Sequence, residues 1–234
     1  MKKISAALLI LVFLCCHSIT NAKEIAPANS GNDEFNGFYL GGTISTNGWG
    51  GEIKYIFNNK FTVRSGFESL KYSYDYNFDQ NEIEYDAIVH YKTGGISLLG
   101  NFNFTRNFYL SAGVLFNSFN PKITGDAASG LEYGDIIIPP SMVGDFEFTI
   151  EPQLQVSPYG SVGFRSFFGK NKRVVLNTEL GMYYMGPPKI NISASGLLAP
   201  TADPAHGQKE ILENQIEQYK FYPVLKLILA VKLF

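Results

Sequence analysis

Residues 219–234 read YKFYPVLKLILAVKLF. Leu225, Leu227, Leu229, Val231 and Leu233 recur at period two, so an extended strand carries them on one face. Lys226 and Lys232 fall on the other face, with Ile228 and Ala230 between them. The lysines interrupt the apolar run, and it is too short for a membrane helix. Its length and alternation suit a tilted strand with one face in lipid and one in a filled barrel interior. A buried strand of a soluble β domain would carry the same pattern, so the rest of the chain has to decide.

The other end of the chain points to export. Lys2 and Lys3 precede an apolar run over 4–16, followed by Thr20-Asn21-Ala22. That is the layout of a cleaved secretory signal over 1–22, and the run is too short to serve as a span. A lipid-anchored alternative through Cys15 or Cys16 is disfavoured, because bulky Leu14 stands where a small residue is needed. Both cysteines of the protein lie in this segment, so about 212 residues remain without a thiol. Such a domain is neither a disulfide scaffold nor a cysteine metal site, and burial and backbone pairing must hold it.

Removal of the signal leaves 17 basic against 21 acidic residues, a formal charge of −4. That balance offers no footprint for nucleic acid. Tyr (14) and Phe (19) are abundant and helix-period segments are few, which points to strands.

In chain order, 23–35 is a polar, flexible leader and 36–234 forms one domain. Strands are expected over 37–46, 49–57, from 61 into the tyrosine-rich Tyr72, Tyr74 and Tyr76, and over 85–104, 108–117, 146–168 and 174–185. Residues 219–234 supply the eighth. Gly94-Gly95 is read as a bulge that resets the facing of its strand. Tight turns at 58–60, 105–107 and 169–172 alternate with polar excursions at 77–84, 121–145 and 187–217. Residues 208–218 within the last of these form a short amphipathic helix. Short turns on one side and long loops on the other, with an even strand count, are the layout of a small outer-membrane barrel. The expected fold class is therefore all-β: an eight-stranded antiparallel transmembrane β-barrel with short periplasmic turns, long external loops and one short loop helix.

Four blocks carry a family resemblance. They are GWGGEIKYIFNNKFTVRSGF (48–67), the strand over 108–116, GMYYMGPPKINISASG (181–196), and the acidic helix running into YKFYPV (219–224). Over 37–234 the chain resembles a family of small, largely uncharacterised Gram-negative outer-membrane β-barrel proteins, of OmpA, OmpX or OmpW-like architecture. The resemblance implies the fold and the cell outer membrane as location, and implies no activity. It further implies membrane lipid, periplasmic chaperones and the barrel-insertion machinery as partners. The terminal aromatic, Phe234, matches the insertion signal of such barrels. Two departures stand out: the leucine row is one residue out of phase with Phe234, and Val231-Lys232-Leu233-Phe234 replaces the family's Tyr-x-Phe ending. Either a bulge or a degenerate signal would account for them.

No catalytic or metal motif is present: the chain has no HExxH, no GxSxG elbow and no P-loop. No cofactor is expected. Asp126 and Asp135 lack the repeated acidic spacing of a calcium loop. Glu52, Lys54, Arg64, Glu68, His90, Lys92, Arg165, Glu179 and Lys226 are expected to pair as a charge network in the barrel interior. The outward aromatics Trp49, Tyr55, Phe57, Phe116, Phe168 and Tyr184 suit lipid contact. These features predict a non-enzymatic protein with a structural role or a surface-interaction role through its loops. A narrow channel for small or hydrophobic molecules is the first alternative. The second is a lipid A-modifying barrel enzyme with His90 as base and a serine on a neighbouring strand as nucleophile.

Overall fold

The computed structural model describes residues 36–80, 83–133, 136–169, 173–203, 205 and 207–234. The signal over 1–22 and the leader over 23–35 lie outside these residues, as do Asp135 and His206.

Strands β1 (Gly37–Ser45), β2 (Gly48–Ile56), β3 (Phe61–Gln80), β4 (Ile83–Asn103) and β5 (Phe108–Asn117) follow one another as antiparallel neighbours. The chain then leaves this sheet through β6 (Lys122–Ala127), β7 (Leu131–Tyr133), β8 (Ile136–Ile138) and β9 (Asp145–Glu151). It returns with β10 (Val156–Phe168) and β11 (Val174–Tyr184), leaves again with β12 (Lys189–Ala194), and ends on β13 (Phe221–Lys232). The pairing order β1-β2-β3-β4-β5-β10-β11-β13 closes on itself, because β13 also pairs with β1. Eight antiparallel strands thus form a closed ring without a free edge, and Tyr39 of β1 lies opposite Lys232 of β13.

The pleat sorts the side chains of this ring. On β2, Glu52, Lys54 and Ile56 are buried, whereas Trp49 (72% exposed) and Ile53 (56%) face outward. On β13, Val224, Lys226, Ile228 and Ala230 are buried, and Leu229 and Val231 are exposed. The outward rows are therefore apolar, whereas the charged residues of these strands lie inside among further apolar ones, the reverse of the charge distribution of a water-soluble domain.

Four expectations need correction. Residues 77–80 and 83–84 of the loop expected over 77–84 are strand, since β3 and β4 run twenty and twenty-one residues. Pairing of β3 with β2 stops at Ser69 and pairing of β4 with β5 stops at Gly95, so the hairpin projects beyond the ring. The long excursions fold onto this projection. β6 pairs with β4, β9 with β6 and β12 with β9, giving a five-stranded annex with β3 at its edge. Its core is Ile83, Tyr85, Ala87, Ala127, Val143 and Phe146, which is why these loops do not remain open. The strand expected over 146–168 is two strands, one in the annex and one in the ring. They break at Pro152, which has no N–H to give to a ladder. Gly94-Gly95 is no bulge, because the β3–β4 register runs through it unbroken. Both glycines instead admit neighbouring backbone. A Cβ at Gly94 would lie 2.2 Å from the Glu68 carbonyl oxygen, and one at Gly95 would lie 2.1 Å from that of Phe116.

The helix read from the spacing over 208–218 is present as Gln208–Ile216, with two further single turns at Pro140–Val143 and Ala199–Ala202. After the helix, Lys220 Nζ donates to Glu217 Oε1 at 2.7 Å, which holds that carboxyl below its ordinary range and raises the ammonium.

Candidate functional site

The interior of the ring is built in layers. At the end with the short turns, Tyr39, Ile56, Val175 and Ala230 pack with Phe167 into an apolar plug. At the annex end, Leu99, Leu115, Tyr159, Tyr183, Met185 and Val224 form a second plug with Phe119 and Tyr222. Between them lies a charged layer.

Arg64 of β3 is its centre. Nη1 donates to Glu52 Oε2 at 3.1 Å and Nη2 to Glu179 Oε2 at 2.5 Å. Nε donates to Asn101 Oδ1 at 3.1 Å, and Nη2 also reaches Ser111 Oγ at 3.2 Å. Glu179 has no exposed surface. It accepts from Tyr109 Oη at 3.1 Å and from Tyr159 Oη at 2.7 Å as well as from Arg64. A buried carboxylate of this kind persists only with its lone pairs occupied. Closer to the annex, Lys226 Nζ pairs with Glu68 Oε1 at 2.7 Å, and Ser45 donates to Glu68 Oε2 at 2.9 Å. Lys54 Nζ is 3.9 Å from Glu52 Oε1 and stands over the Tyr39 ring. Arg165 hydrogen-bonds Asn103 and lies over the rings of Tyr109 and Phe167.

Glu52, Lys54, Arg64, Glu68, Arg165, Glu179 and Lys226 are thus gathered in one interior. His90 and Lys92 are not. Even-numbered positions of β4 face away from the ring lumen, and both residues lie past its last pair with β5, Gly95 opposite Asn117. Lys92 is exposed, while His90 is half-buried on the outer face of the annex with Nδ1 2.8 Å from Ser73 Oγ. Asp126 falls in a row with Asp86 and Asp145, all three exposed, and among the described residues no three acidic or histidine side chains cluster as a metal site. The residues that sequence reasoning left out are Tyr109, Tyr159, Asn101 and Ser111. Tyr109 shares parity with Ser111 and Gly113, so the alternation of β5 was the signal that could have placed it inward.

Outside the ring, aromatic pairs run around the turn end: Phe38 with Tyr55 (4.6 Å between centroids), Phe61 with Phe102 (5.4 Å) and Phe108 with Phe164 (5.0 Å). From Phe57 to Trp49 the outward band extends about 26 Å along the strand, or roughly 20 Å in height at the usual tilt. Phe234 joins the girdle without a bulge. Strand β13 ends at Lys232, and the released terminus hydrogen-bonds Phe38 N through the Phe234 carbonyl at 3.0 Å. The Phe234 ring is thereby 5.2 Å from that of Phe38.

Fold and site together define a closed eight-stranded antiparallel ring with an apolar exterior and a charged, filled interior. Two solved structures share this fold: CarO of Acinetobacter baumannii, with a TM-score of 0.54 and 17% identity over 86% of this chain and all of that one, and CarO2 of the same organism, with a TM-score of 0.54 and 17% identity over 83% of this chain and 97% of that one. At that identity the likeness concerns the fold. No family model matches the chain, and no curated protein matches it either.

Proposed function

We propose that this chain is an outer-membrane β-barrel protein without enzymatic activity, a sealed barrel whose role is structural or interactive through its annex. The observation that carries this reading is the inverted burial of the ring: leucines and aromatics outward on every strand, seven charged groups within. Only lipid makes that distribution favourable, since the outward band would otherwise be one apolar patch encircling the molecule. The shared fold with CarO supports it. The short turns face the periplasm, the annex faces outward, and Phe234 serves the insertion machinery. Two apolar plugs flanking a buried charge layer favour a sealed barrel over a narrow channel. The test is conductance of the refolded protein in planar bilayers: a folded, silent barrel is expected, and reproducible openings would replace this reading by the channel.

One contact favours a second reading, the lipid A-modifying enzyme. His90 has a serine, Ser73, within hydrogen-bond reach on the adjacent strand. The pair has the nucleophile–base geometry of hydroxyl activation. It is weaker as a catalyst than as a surface contact, because β4 around His90 is laddered on both sides, to β3 and to β6, which commits the nearby N–H groups an oxyanion would need. Purified wild-type protein and His90→Ala incubated with lipid A would show the same absence of product if the first reading holds.

A further inference from the structure

The charged layer does not balance. Among the described residues, the buried charged side chains are Lys54, Arg64, Arg165 and Lys226 against Glu52, Glu68 and Glu179, four cations to three carboxylates. Lys226 is matched by Glu68, and Arg64 is shared between Glu52 and Glu179. Lys54 has only the long contact to Glu52, whose other oxygen Arg64 already holds. Arg165 meets no carboxylate among the described residues. Its contacts are the amide oxygen of Asn103 and two aromatic rings, although only 6% of its surface is exposed. A buried guanidinium without a counter-charge is costly in such an interior.

The same two cations border a cavity. It lies toward the turn-end plug, is lined by Lys54, Arg64, Arg165, Thr62, Glu52 and Asn177 among others, and measures about 10 Å³, room for a single water-sized particle. Three cations line it against one carboxylate. Thr62, 2% exposed, has a hydroxyl without a hydrogen-bond partner among the described residues, able to donate into this space. We propose that this cavity is a site for one small monovalent anion of the halide class, which completes the charge balance of the interior and lies between the Arg165 guanidinium and the Lys54 ammonium. Larger oxyanions such as sulfate would not fit. The one feature opposing an anion is Glu52, whose Oε1 also has no hydrogen-bond partner. The alternative occupant is therefore a water that donates to Glu52 and accepts from Lys54.

The two occupants separate experimentally. The folded full chain is crystallised with bromide as the sole monovalent anion, and anomalous scattering at the bromine edge is recorded. A peak in the cavity beside Arg165 is expected, and density at water strength without an anomalous signal would overturn the proposal. In solution, chloride or bromide should raise the unfolding midpoint saturably relative to sulfate at equal ionic strength. Arg165→Gln should abolish that difference, and Glu52→Gln should reduce the half-saturating halide concentration several-fold. Identical midpoints of the wild-type protein in chloride and sulfate would count against the site regardless of how either variant folds.

Discussion

Gly163 of β10 stands against Tyr109 of β5 so closely that a Cβ added at Gly163 would lie 2.1 Å from Tyr109 Cζ. The missing side chain is what lets the phenol lie across the lumen and donate to Glu179. Gly163→Ala should therefore displace Tyr109 and cost about 1–3 kcal/mol as overpacking. Gly160→Ala, where nothing lies within 4 Å, should stay within about 0.5 kcal/mol. Urea unfolding of the two variants in the same detergent checks the contrast, and equal midpoints would show that the lumen is looser than described.

Arg64→Ala removes the cation that Glu52 and Glu179 share. Glu179 is then left with two tyrosine hydroxyls and Glu52 with the long contact to Lys54, at a cost of about 3–5 kcal/mol. Replacing Glu179 by Gln in the same chain should recover part of the loss, because it removes one stranded charge. A double variant no more stable than Arg64→Ala alone would mean that the pair is not the reason for the loss.

The outward face offers a test that depends on lipid alone. Leu229, 56% exposed, lies in the outward row of β13 between Leu227 and Val231. Leu229→Arg should cost about 2–4 kcal/mol in bilayers, the expense of an arginine near the membrane midplane. Tyr74→Arg, at a residue 44% exposed on the annex, should be close to neutral. If both substitutions are tolerated alike in vesicles, the band does not face lipid.

Orientation can be read with single cysteines, since the only native ones, Cys15 and Cys16, precede the domain. Met142 lies on the annex, 63% exposed, and Asn58 in a short turn at the opposite end. A membrane-impermeant maleimide added to intact cells should label Met142→Cys and spare Asn58→Cys. The reverse pattern would invert the proposed topology.

The ring was readable because its signal is periodic. Alternation on β2, β5 and β13 assigns inward and outward faces residue by residue, and Asn58, Thr105 and Gly169 mark the returns. The same alternation placed Arg64, Glu68, Glu179 and Lys226 on inward faces. It failed at His90 and Lys92, where parity was read through an assumed bulge at Gly94-Gly95 that the continuous register does not contain. The annex was illegible for a different reason. The strands it adds are six or seven residues long, and their partners lie far off in sequence: β6 pairs with β4, and β9 with β12. Short, mixed segments of that kind carry little local pattern, and only the assembled core of Ile83, Tyr85 and Phe146 selects the sheet.

The seam between β1 and β13 joins the first ring strand to the last, with Tyr39 opposite Lys232. Closure of the ring therefore waits for the final strand to arrive, and the entropy of bringing such distant segments together is spent late. Until then the edge of β1 that β13 covers is bare, and Glu68 has no Lys226. An intermediate of this kind carries an unpaired strand edge and an unmatched carboxylate, so arrival of β13 completes the backbone ladder and the interior ion pair in one step.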